Sequence, residues 1–159
     1  MDDLQTFLTQ YISVHPDDVV RVREDLPADY QVTALAMAAE QMAEPPVIIC
    51  DAVEGAGMPV VTNLFASRAR IARILGTTAD HLHDHWAARS RHLIPPTEVK
   101  HGACQEVCAL GDDADATRLP FMKHFEQDAG RYITSGVVVA RDPDTRAVNL
   151  SFARMQLKG

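Results

Sequence analysis

The chain has 159 residues, a hydrophobic content of 47% and a formal net charge of −7. That is enough apolar material for a packed core, which excludes wholesale disorder, and the acidic balance without a basic cluster argues against nucleic acid or an anionic membrane as partner. No apolar run approaches a membrane span, the start MDDLQ is unlike a signal peptide, and the three cysteines (Cys50, Cys104, Cys108) make no paired framework, so a reduced, cytoplasmic compartment is the expectation.

Asp2 or Asp3 can cap a first helix whose apolar residues Leu4, Phe7, Leu8, Tyr11 and Ile12 recur at helical spacing, and Pro16 stops it. Asp18 to Arg23 alternates and predicts a strand. Gln31 to Ala43 predicts a second helix, with Val32, Leu35, Ala36, Ala39 and Met42 on one stripe and Pro45-Pro46 after it. Val47 to Cys50 reads as a short buried strand. Gly55-Ala56-Gly57 turns the chain into another at Met58 to Thr62. Ser67 caps a helix carrying Ile71, Ile74 and Leu75, with Gly76 where a left-handed stop belongs. Thr77 or Thr78 starts a further helix through Trp86 to about Arg91.

Residues 95 to 102 read as a linker between an α/β unit and a mainly β unit. Ala103 to Leu110 is predicted as a strand, followed by a turn at Gly111-Asp112-Asp113. Tyr132 to Ala140 is rich in β-branched residues and predicts a strand. Asp142-Pro143-Asp144-Thr145 suits a type I turn, and residues 146 to 158 return as its partner. Strict alternation separates Asn149 from Arg154, which lie an odd number of positions apart. A bulge or strong twist between them would bring both toward one cavity.

Three segments together resemble the N-terminal part of the UbiD family of prenylated-FMN-dependent decarboxylases. The first is Met58-Pro-Val-Val-Thr-Asn-Leu-Phe-Ala-Ser-Arg-Ala-Arg-Ile-Ala. The second is Ala103-Cys-Gln-Glu-Val with Gly111-Asp-Asp and Leu119-Pro120. The third, and most specific, runs from Tyr132-Ile-Thr-Ser-Gly to Asn149-Leu-Ser-Phe-Ala-Arg-Met-Gln.

The resemblance implies an α/β (α+β) N-terminal domain over residues 1–95 and, over 102–159, the first strands of a flavin-reductase-like split β-barrel that binds prenylated FMN. It implies that Asn149 ligates a divalent metal, manganese with or without potassium, at the cofactor phosphate. A neutral amide oxygen suits such a hard ion. Leu150, Ser151, Phe152 and Ala153 match backbone lying along the cofactor, and Thr134 a threonine of the same pocket. Arg154 matches the arginine beside the flavin and the substrate carboxylate, and is the catalytic candidate. A guanidinium fork fits a planar carboxylate.

The implied reaction is reversible, non-oxidative decarboxylation of an aromatic or α,β-unsaturated acid. The implied partners are that acid, further copies of the chain in a homo-oligomer, and a flavin prenyltransferase that supplies the cofactor. The family's metal-binding His and Glu and its acidic proton donor would lie beyond residue 159, so little or no activity is expected of these residues alone. Ala66, where the family usually has glycine, and His124-Phe125-Glu126-Gln127-Asp128 depart from its pattern. The alternative is a non-catalytic α/β module that binds a nucleotide or a partner chain; an ordinary FMN reductase is a further one.

Other features read more plainly. His81, His83 and His85 lack a cysteine or glutamate to complete a zinc set, so a solvated helix face is expected. Cys104 and Cys108, and likewise Met37, Met42 and Met58, are expected as core filler.

Overall fold

A computed structural model describes residues 3–95, 97 and 99–158. Asp2, the alternative first cap, and Pro96 of the linker lie outside the described residues. Helix α1 spans Leu4–Val14, and Asp3 caps it by accepting from the Thr6 N–H at 2.8 Å. A single 3-10 turn, Pro16–Asp18, leads into β1, Val19–Leu26. Helix α2, Gln31–Ala39, crosses over to β2, Val47–Val53, which lies parallel to β1. Strand β3, Val60–Thr62, returns antiparallel to β2 and completes a sheet of order β1-β2-β3.

The four-residue run Val47-Ile48-Ile49-Cys50 explains the layering. Successive side chains of a strand point to opposite faces. Val47 and Ile49 pack with Tyr11, Phe7, Leu64 and Ile74 on one face. Ile48 and Cys50 pack with Leu26, Val32 and Ala39 on the other. A central strand buried on both sides needs an unbroken apolar run, and this one has it.

Ser67 caps α3, Arg68–Ile74, and Gly76 leaves it at φ +72°. Helix α4 spans Leu82–Arg89. Strands β4, Tyr132–Arg141, and β5, Val148–Gln156, form a separate antiparallel hairpin. Its turn is held by Asp142, whose carboxylate accepts from the Asp144 and Thr145 N–H groups. The observed architecture is therefore mixed α/β with two small sheets.

The chain enters α2 through a strained turn. Tyr30 has φ +71°, rare for a bulky residue, and the Gln31 N–H donates across it to the Asp29 carbonyl at 2.9 Å, as in a γ-turn. The strained residue is clamped: its N–H donates to the Lys123 carbonyl, and Lys123 Nζ lies 5.5 Å above its ring. The Arg131–Asp29 ion pair adds a second tie between the α/β layer and the approach to the hairpin.

Three expectations are corrected. Ala103 to Leu110 is not a strand. It begins with a 3-10 turn, Ala103–Gln105, closed by the Gly102 N–H donating to Gln105 Oε1. Among the described residues no neighbouring strand offers it a ladder; Cys104, Val107, Cys108 and Leu110 are exposed, and the two cysteines are not core residues. Met37, Met42 and Met58 are also exposed; α2 ends at Ala39, which puts Met42 past the helical stripe. Among the described residues no helix is long and apolar enough to cross a membrane.

Candidate functional site

The hairpin is irregular at one point. Ile133 pairs with Met155 and Gly136 with Ala153, so Thr134 and Ser135 of β4 together oppose the single residue Arg154 of β5. The irregularity anticipated on β5 lies on β4 instead. Gly136 permits it: a Cβ there would come within 2.5 Å of Met155 Cε and 3.2 Å of the Ala153 carbonyl oxygen.

The bulge re-aims side chains at a cleft of about 590 Å³ lined by Thr134, Arg154, Tyr132, His124, Phe125 and Asp128. The Arg154 guanidinium sits 5.6 Å from the centre of the Tyr132 ring, a cation–π placement. Arg154 forms no ion pair with any described residue. Asp128, the one carboxylate among the described lining residues, accepts through one oxygen from the backbone N–H groups of His124 and Phe125 at 3.2 and 2.9 Å. The cleft therefore holds a guanidinium that no described carboxylate pairs, an arrangement suited to a carboxylate ligand.

Asn149 is placed differently. It pairs with Ala140 near the turn, is exposed, and does not line this cleft. Leu150, Ser151 and Phe152 are exposed on the same strand, and Ala153 is half-buried. Among the described residues no three His, Cys, Asp or Glu side chains come together as a metal site. One amide oxygen is far short of the six or more ligands that a hard divalent ion takes, so the described residues do not by themselves fit a metal. His85 accepts from Arg89 Nε at 2.8 Å, an ordinary helix-surface contact.

Sequence reasoning missed three residues. Arg70 is fully buried. Its Nε and Nη2 grip Asp18 at 2.9 and 2.7 Å, its Nη1 donates to the Asn63 carbonyl at 2.7 Å, and Nη2 also reaches the Pro45 carbonyl. Asn63 has φ +61°, a left-handed position that asparagine tolerates, and its Nδ2 is buried without a partner. His124 bonds Thr33 through Nδ1 at 2.7 Å, while its Nε2 is buried without a partner. The only signal for Asn63 and Arg70 was their place in the Thr-Asn-Leu-Phe-Ala-Ser-Arg-Ala-Arg segment.

Two family models match the chain. The 3-octaprenyl-4-hydroxybenzoate carboxy-lyase N-terminal domain matches residues 15–90, and the Rift-related domain of the same carboxy-lyase matches residues 97–159. The chain belongs to the UbiD family. Solved structures agree. An evolved dimeric form of the UbiD-class enzyme HmfF from Pelotomaculum thermopropionicum, in complex with prFMN, superposes with a TM-score of 0.86 at 27% identity over 100% of this chain and 36% of that one. Vanillic acid decarboxylase from Sedimentibacter hydroxybenzoicus, in its open form, gives 0.82 at 26% identity over 99% of this chain and 34% of that one. For the fold alone, apo 3,4-dihydroxybenzoic acid decarboxylase (AroY) from Klebsiella pneumoniae gives 0.88 at 20% identity, over 100% and 35%. The chain thus spans about a third of the length of these UbiD-class structures.

Proposed function

We propose that this chain forms part of a UbiD-class decarboxylase acting on an aromatic or α,β-unsaturated acid with prenylated FMN. The supporting observation is the unpaired Arg154 guanidinium lining one cleft with Thr134, beside the β4 bulge. The modified flavin supplies the electrophilic and electron-accepting chemistry that lets carbon dioxide depart. The chain's own part is to bind and orient. Arg154 would hold the carboxylate by paired charge-assisted hydrogen bonds, Thr134 would offer a hydroxyl at the same wall, and the backbone of Leu150 to Ala153 would help hold the flavin. Asn149 would offer one amide oxygen to a manganese ion, a single ligand of the six or more such an ion takes.

In this reading the hairpin opens a split β-barrel after a boundary at residues 95–102, and the working enzyme is a homo-oligomer served by a flavin prenyltransferase. A thermal-shift series tests it. A ligand at one hundred times its Kd stabilises the folded state by about 2.7 kcal/mol. For a domain of this size that is roughly 5–10 °C. Prenylated FMN with manganese is expected to raise the midpoint by that order, and Arg154→Met is expected to abolish any further rise on adding 4-hydroxybenzoate. An unmoved midpoint with cofactor, manganese and acid together would leave the non-catalytic module in its place.

A further inference from the structure

A second cleft, of about 550 Å³, opens between the β3–α3 loop and the start of β4. Its walls include Thr62, Asn63, His124, Thr134 and Ser135. His124 and Thr134 also line the Arg154 cleft. The chain carries 22 Asp and Glu residues, yet none of them lines this cleft among the described residues.

Asn63 Nδ2 and His124 Nε2 are buried polar atoms without partners. Leaving such a group unpaired is unfavourable, so its persistence calls for an explanation. An amide nitrogen only donates. His124 Nε2 is a donor in the tautomer whose Nδ1 accepts from the Thr33 hydroxyl, 2.7 Å away.

Both donors also ride on backbone held in place. Asn63 sits at φ +61° with its carbonyl taken by the buried Arg70, and His124 follows Lys123, which is clamped to the strained Tyr30. Strain of this kind persists only where surrounding contacts over-determine it, and it concentrates at ligand sites.

We infer that this cleft receives an anionic oxygen, held by Asn63 Nδ2 and His124 Nε2. The chemistry is that of a carboxylate or a phosphate. The inference goes beyond the flavin reading and stands on the geometry of this cleft alone.

The test is a side-chain ¹⁵N NMR titration of the chain with inorganic phosphate, benzoate, FMN and riboflavin. The Asn63 amide and His124 Nε2–H signals are expected to move and saturate with at least one anion. A response to FMN but not riboflavin identifies phosphate as the source, and a response to benzoate identifies carboxylate. Asn63→Gly, which keeps the left-handed backbone and deletes the amide, should weaken binding about tenfold. Asn63→Asp, which replaces a donor by a charge, should abolish it. Movement of Arg154 signals with Asn63 and His124 silent overturns the inference while sparing the flavin reading. The converse supports the inference and counts against that reading. Silence at all three sites overturns it.

Discussion

Replacing Asp18 with asparagine removes the one carboxylate that the buried Arg70 guanidinium touches among the described residues. The pair is bidentate, and the Asp18 side chain is only 14% exposed. Asp18 also accepts from Tyr11 Oη at 2.5 Å and from Arg73 at 3.2 Å. These contacts, the Arg70 hydrogen bonds first, hold its carboxyl down at about 2, from an ordinary value of 3.8. At about 1.4 kcal/mol per tenfold change in proton affinity, ionised Asp18 contributes about 2 kcal/mol to folding.

Because the folded value is the lower one, that contribution is fully present above pH 4 and is lost as pH falls toward 2. Asp18→Asn goes further, since it leaves a buried guanidinium without its counter-charge, and the cost is about 3–5 kcal/mol. Urea unfolding at pH 7 followed by circular dichroism measures this loss. Arg70→Met should cost a similar amount, and the double variant less than the two singles together, because no orphaned charge remains. The reasoning is refuted if Asp18→Asn unfolds within 1 kcal/mol of wild type, an order taken from surface substitutions. It is equally refuted if the variant keeps the wild-type loss of stability between pH 4 and pH 2.

Two further predictions concern exposed groups. Asn149→Ala should leave the unfolding free energy within about 0.5 kcal/mol of wild type, because the side chain is exposed, while weakening the manganese-dependent part of any cofactor-induced thermal shift. Cys104 and Cys108 are exposed and Cys50 is fully buried, with burial pushing its thiol up. A thiol-reactive dye should therefore label two cysteines rapidly in the native chain and the third only on unfolding.

Elements with local signals were legible in the sequence. Asp3 and Ser67 cap the helices they should, Gly76 ends α3 at positive φ, and the run Val47 to Cys50 is the doubly buried strand its composition demands. What escaped depended on distant partners. Ala103 to Leu110 has strand-like residues but no strand beside it, and β-propensity without a ladder settles nothing. Arg70 carries no local mark of burial, and its partner Asp18 lies 52 positions earlier. The shared cleft of Thr134 and Arg154 needed the bulge on β4, which alternation along β5 alone could not reveal.

The buried ion pair and the proposed anion cleft are parts of one construction. Arg70 divides its donors between Asp18, which anchors the junction of α1 and β1, and the Asn63 carbonyl, which fixes the loop that carries the orphaned amide. With Asp18 neutralised, the guanidinium loses its bidentate hold and with it the orientation of Nη1. The Asn63 amide should then respond more weakly to phosphate or benzoate in Asp18→Asn than in wild type, under conditions where both are folded. An unchanged Asn63 response would separate the core network from the cleft and show that the loop holds its left-handed turn without Arg70.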